Sequence, residues 1–136
     1  MITLSLLKYL EDNGFGVVAV KGNEKNASLF WEKMPLDKTG VYIATVGQEQ
    51  VRGARRSIGY NLYSRGRSDA DGYKKLVAIR EFLSSGASYE NCILPAVENF
   101  TDEFKNCTIM PVSTVSSIGS DENGRMIYTC YGTIYY

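Results

Sequence analysis

The sequence predicts an α+β fold: a mainly antiparallel sheet of about four to five strands, with an N-terminal helix and one long helix packed on one face. Three observations carry this. Residues 57–64 alternate, with Ile58, Tyr60 and Leu62 on one side and Ser57, Gly59 and Asn61 on the other, as in a half-buried strand. Residues 69–85 carry a capped amphipathic helix pattern. Asp121-Glu122-Asn123-Gly124 forms a turn signal between two strand-like runs, because glycine adopts positive φ at little cost. Helix, strands, helix, strands is an α+β order. A chain of 136 residues suits a single domain, residues 1–136.

Taken in order, residues 3–12 read as a first helix, with Thr3 as cap, Leu6, Leu7 and Leu10 as an apolar stripe, and Asn13-Gly14 as the stop. Residues 15–20 are a strand or an extended link, and 22–28 are polar and loop-like. Residues 29–34 are extended and end at Pro35. The β-branched and aromatic run 41–47 is a strand. Residues 48–56 form a long polar hairpin loop before the strand at 57–64. In the long helix, Ser68 caps, Asp69 and Asp71 favour the positive end of the dipole, and Tyr73, Leu76, Ile79 and Leu83 line one face, with Gly86 as the stop. Residues 107–118 are strand-like and broken by Pro111, and 126–136 are a long terminal strand.

Composition narrows the function. With 44% hydrophobic and 22% charged residues the chain reads as globular rather than disordered. No apolar run approaches the roughly 20 residues of a membrane span, and the start lacks a signal-peptide pattern, so no membrane partner is expected. Cys92, Cys107 and Cys130 form neither a disulfide framework nor a zinc motif and read as buried reduced thiols. Charge is neutral in total but segregated: net −1 over residues 1–50, +5 over 51–85 and −4 over 86–136. Neutrality argues against bulk nucleic-acid affinity. Segregation fits contacts in which opposite patches of two copies meet.

Catalytic chemistry is not written here. The chain has no histidine, which removes the commonest acid/base group and Ser-His or Cys-His pairs. Asp69 and Asp71 have a helix-start role, and Asp121 and Glu122 a turn role; Asp102 and Glu103 complete the available carboxylate pairs. No phosphate-loop pattern follows a strand, so no cofactor is expected. Five arginines within sixteen residues, Arg52, Arg55, Arg56, Arg65 and Arg67, exceed what solubility needs; they read either as contacts to phosphate or an acidic partner surface, for which arginine is suited, or as a solvated face. In the last strand Tyr128 and Tyr136 share one face and Tyr131 and Tyr135 the other. That fits a strand covered on both faces within the subunit, or one with its second face on a neighbour.

Three stretches resemble the tail terminator (tail completion, minor capsid) proteins of long-tailed bacteriophages. They are Leu29-Phe30-Trp31-Glu32-Lys33-Met34-Pro35; Ile58 to Leu83, with Ser64-Arg65-Gly66 before an acidic helix start; and Ile118 to Arg125 followed by Tyr128 and the alternating terminal strand. The order and spacing of these stretches carry the resemblance, which spans most of the chain from residue 29 onward. It implies a mixed α/β subunit that forms a hexameric ring, caps the head-proximal end of the tail tube, stops tube polymerisation and presents a surface to the head-completion or connector protein. DNA would pass through the lumen without specific binding, and the subunit would reside in the virion neck after assembly in the host cytoplasm. Arg52, Arg55, Arg56, Arg65, Arg67, Tyr131 and Tyr135 are the expected contacts to a neighbour or the tube. Alternatives are another neck or head-completion role, or a small nucleic-acid-binding module using Arg52 to Arg67.

Overall fold

The computed structural model describes residues 2–136. One sheet dominates it. The elements run α1 (Ile2–Asp12), β1 (Leu29–Trp31), β2 (Gly40–Arg52), β3 (Arg55–Arg65), α2 (Asp69–Leu83), α3 (Gly86–Tyr89), β4 (Cys92–Leu94), β5 (Phe104–Pro111), β6 (Ser116–Ser120) and β7 (Met126–Tyr135). Seven strands form a single curled mixed sheet, a half-barrel, in the order β1-β2-β3-β7-β5-β4, with β6 also on β7. This corrects the expected four- to five-stranded sheet with one long helix. The protein is mostly sheet, with three short helices. The strands missed are short (β1, β4), or share an edge: β5 and β6 pair with the two halves of β7, and the chain crosses between them at residues 112–115. Parallel pairing of β1 with β2 makes the sheet mixed.

The inner face of the sheet is the core. Val41, Ile43, Tyr60, Leu62, Cys130, Ile134, Cys107 and Ile109 pack there with Leu6, Leu7 and Leu10 of α1 and Leu76, Ile79 and Leu83 of α2. The alternation at 57–64 holds: Tyr60 and Leu62 are buried, and Ile58 packs against the same cluster. Burying a leucine side chain contributes roughly 1.5–3 kcal/mol, so these stripes fix both helices on that face.

Helix α1 ends as the sequence predicts. Gly14, at φ 86°, sends its N–H to Glu11 O, and the Phe15 N–H reaches Leu10 O, a Schellman closure. Its start differs. Thr3 lies inside the helix, buried, and turns its hydroxyl sideways to Thr45 Oγ1 (2.8 Å) while accepting from Trp31 Nε1 (3.0 Å). Helix α2 starts as expected, with the Ser68 hydroxyl accepting the Asp71 N–H at 3.2 Å. It ends two residues early, and Gly86 opens α3 instead of closing α2. Tyr73 is about half exposed and meets only the edge of Tyr128 (5.5 Å between centroids), so the buried face is Leu76, Ile79 and Leu83. Residues 17–19 run alongside β1 with one bridge, Val18 to Leu29, and form no strand.

The polar loop expected at 48–56 is a correction of a different kind. Strands β2 and β3 continue through it as a hairpin arm, paired to Arg52 opposite Arg55 and closed by Gly53-Ala54. Gly53 takes φ 61°, which a two-residue turn between twisted strands requires.

Candidate assembly surface

The arm rises from the sheet past the core. Between Val46 and Gln50 the register slips, and Gly47 in that bulge takes φ 71°. A bulge of this kind increases local twist and re-aims the strands beyond it. Every residue of β2 from Gly47 to Arg52 is exposed. No packing asymmetry exists there, which is why the sequence shows no alternation.

Below the arm, the outer face carries Tyr131 and Tyr135 of β7. Tyr131 is 51% exposed and Tyr135 half-buried, whereas Tyr128 and Tyr136 pack against the core, as the alternation predicts. The pairs Gln50–Ser57, Arg52–Arg55 and Ser57–Tyr135 bring arm and outer face together. Gln50, Arg52, Arg55, Arg56, Ser57 and Tyr135 line a shallow depression of about 400 Å³. On the outer face further along, the Tyr42 and Tyr63 rings stack at 4.6 Å.

The five arginines do not form one patch. Arg52 and Arg55 are exposed, and among the described residues no carboxylate lies within ion-pair distance of either. Arg56 sits 3.9 Å from Glu49, whose carboxylate also accepts from the Tyr136 hydroxyl. Burial and the charge and hydrogen bond of Glu49 push that phenol up to about 12. Backbone bonds between Arg56 and Tyr136 in both directions (2.7 and 2.8 Å) anchor the root of the arm.

Arg65 lies ten residues along β3 from Arg55, roughly 33 Å at 3.3 Å per residue. It is 5% exposed and spent inside the fold: Nε and Nη2 donate to Lys38 O, Nη2 also to Pro35 O, and Nη1 lies 3.6 Å from Asp121. Arg67 is exposed in the loop before α2. Of the residues singled out by sequence, Arg52, Arg55, Arg56 and Tyr135 line one depression; Tyr131 lies further along the same face of β7, and Arg65 and Arg67 are remote.

A second surface lies within the segment of net −4. Residues 86–104 contain four carboxylates, Glu90, Glu98, Asp102 and Glu103, with no lysine or arginine, and all four are exposed. Ile93 and Phe100 lie among them at 52% and 61% exposure. The run of acidic residues without a base was readable in the sequence, but which of them shared a surface was not, because β4 and its flanking loops carry no periodic signal. Beside it, Val20, Trp31, Met34, Leu36, Val97 and Phe100 line an apolar groove of about 800 Å³.

The carboxylate pairs stay apart as chemistry. Asp69 accepts the Met126 N–H (3.3 Å), and Asp121 is held by Arg125 Nε (3.0 Å) and by the N–H groups of Asn123 and Arg125. Among the described residues no three Cys, Asp or Glu side chains gather as a metal site, and no helix is long and apolar enough to cross a membrane. The chain matches no protein-family model, and no curated protein sequence matches it.

Proposed function

We propose that this protein is a structural subunit of a long-tailed phage that closes into a hexameric ring, caps the head-proximal end of the tail tube and forms part of the head–tail joining surface. The observation that carries the reading is the hairpin arm. It is an exposed, bulged extension of two strands that presents Arg52 and Arg55 without internal partners. Strand pairing is all that such an arm gains beyond its root, without core packing, while ordering each residue costs about 1–2 kcal/mol of conformational entropy. A contact with another chain offsets that cost. The resemblance of residues 29–35, 58–83 and 118–128 to tail terminators supplies the particular role.

Two measurements test it. Native mass should give a species near six times 15.1 kDa, about 91 kDa, alone or on purified tube. Added to polymerising tail tube protein, the protein should halt growth at one end and leave tubes that bind the connector. Unrestrained tube growth in its presence sinks the terminator role. Binding to a connector without any effect on tube length favours another neck position. The nucleic-acid reading loses Arg65 to the interior, and salt-sensitive binding of short DNA by the isolated subunit is the result that would restore it.

A further inference from the structure

We propose that the arm of one copy docks on the acidic margin around β4 of the next copy, so that each subunit is both donor and acceptor in a head-to-tail closed assembly. This names the contact within the assembly reading above and rests on it.

The two surfaces are complementary in charge and in shape of chemistry. The arm, residues 46–57, carries Arg52, Arg55 and Arg56 against Glu49, net +2. The margin, residues 86–104, carries net −4. Each has exposed apolar side chains among its charges: Val46 and Val51 at 43% and 63% on the arm, Ile93 and Phe100 on the margin. Among the described residues no ion pair joins the two within one subunit. Both surfaces are thus free to meet a second copy of this chain, which supplies the matching charge.

The contact has a definite symmetry. Arm against arm would oppose arginines, and margin against margin would oppose carboxylates, so contact of either surface with its own copy is disfavoured, and sedimented mass separates a ring from a reciprocal arm–margin dimer. A donor surface meeting a different acceptor surface is heterologous, and such contacts close into rings when the rotation permits. The strand register relates the two surfaces. Ser57, Tyr135 and Thr108 align in one row across β3, β7 and β5. The arm extends beyond that row from β2 and β3. The start of β5, which is paired to β4 through Phe104 and Leu94, extends beyond it at the other end of the strand order. The arm and the start of β5 thus lie on the same side of that row.

The test uses two charge-reversed full-length variants, Arg52→Glu/Arg55→Glu and Glu98→Lys/Asp102→Lys/Glu103→Lys. Sedimentation at low salt should show wild type assembled and each variant alone at 15.1 kDa. An equimolar mixture of the two should assemble again, because each reversed surface finds a reversed partner and subunits alternate. The neutral pair Arg52→Gln/Arg55→Gln, which creates no repulsion, should weaken assembly and serves where a reversed variant fails to fold. Folding is followed by circular dichroism and by the fluorescence of Trp31, the one tryptophan. Wild-type protein monomeric at its highest soluble concentration, an arm variant with unchanged mass, or a mixture that stays monomeric overturns the proposal. Tube growth separates it from the terminator role. A protein that assembles through these surfaces and leaves tubes uncapped keeps the interface and loses the role. Capping by the arm variant keeps the role and loses the interface.

Discussion

Arg65 and Asp121 face each other at 3.6 Å with side-chain exposures of only 6% and 8%, joining the end of β3 to the turn between β6 and β7. The same guanidinium also closes the 35–38 loop through Pro35 O and Lys38 O. One side chain thus ties three non-local segments. Arg65→Met should lower stability by about 1–3 kcal/mol, since it leaves Lys38 O without its donor and removes one donor from Pro35 O and one of the two guanidinium groups beside Asp121. A lower urea midpoint at constant slope would register it. An unchanged midpoint would mean that water replaces the guanidinium without loss.

Acid should loosen this junction. Burial alone would raise the Asp121 carboxyl, but N–H bonds from Arg125 and Asn123 and the Arg125 guanidinium outweigh it and hold it below its usual value. A carboxyl lowered in the folded state adds stability that is complete above the unfolded value of about 3.9 and is lost as pH falls through the folded value. Thermal unfolding followed from pH 6 to pH 2 should show a loss in that lower range that is smaller in Asp121→Asn.

Gly132 sits opposite Tyr60 at the centre of the sheet. A methyl group there would come within 2.5 Å of both Met110 O and the Tyr60 hydroxyl, and Tyr60 is 1% exposed. Neither the backbone nor the locked ring can give way, so Gly132→Ala should cost about 1–3 kcal/mol or more. Loss of soluble protein or a Tm drop of several degrees is expected, while Gly124→Ala, which meets nothing within 4 Å, should cost only its positive φ.

Thr3 should matter more than a surface threonine. Its hydroxyl accepts from Trp31 and meets Thr45, whose hydroxyl bonds Glu32 at 2.8 Å. Thr3→Val should destabilise by about 1–2 kcal/mol and leave the indole N–H without its partner, which Trp31 emission will report.

The thiols should be silent in the folded protein. Burial pushes Cys107 and Cys130 up to about 11 and raises Cys92 as well. At pH 8 a disulfide reagent should find almost no thiolate until denaturant is added, when three thiols react per chain. Rapid labelling of native protein would contradict their burial.

What was legible in the sequence is what local chemistry dictates. The Ser68 cap, the Gly14 stop and the alternation of β3 are each decided within a few residues, and each is found. The strand order is not local. Nothing within β5 or β6 states that both lie along β7, because that depends on pairings made after residue 126. Arg65 was misplaced for a related reason: a charged residue at the end of a strand reads as exposed, and only the return of the 35–38 loop and the 121 turn encloses it. The arm was read as a loop because strands outside a core have no inside to mark.

The strand that joins β3, β5 and β6 is β7, residues 126–135, and it is among the last parts of the described chain to be synthesised. Until it emerges from the ribosome, three strands wait with open edges and the outer face does not exist. The subunit therefore gains its structure late and all together, since non-local pairing carries the loop-closure cost before it is rewarded. Order of synthesis matters here: a nascent chain shorter than this lacks both the Arg56–Tyr136 bonds that anchor the arm and the row that joins β3 to β5.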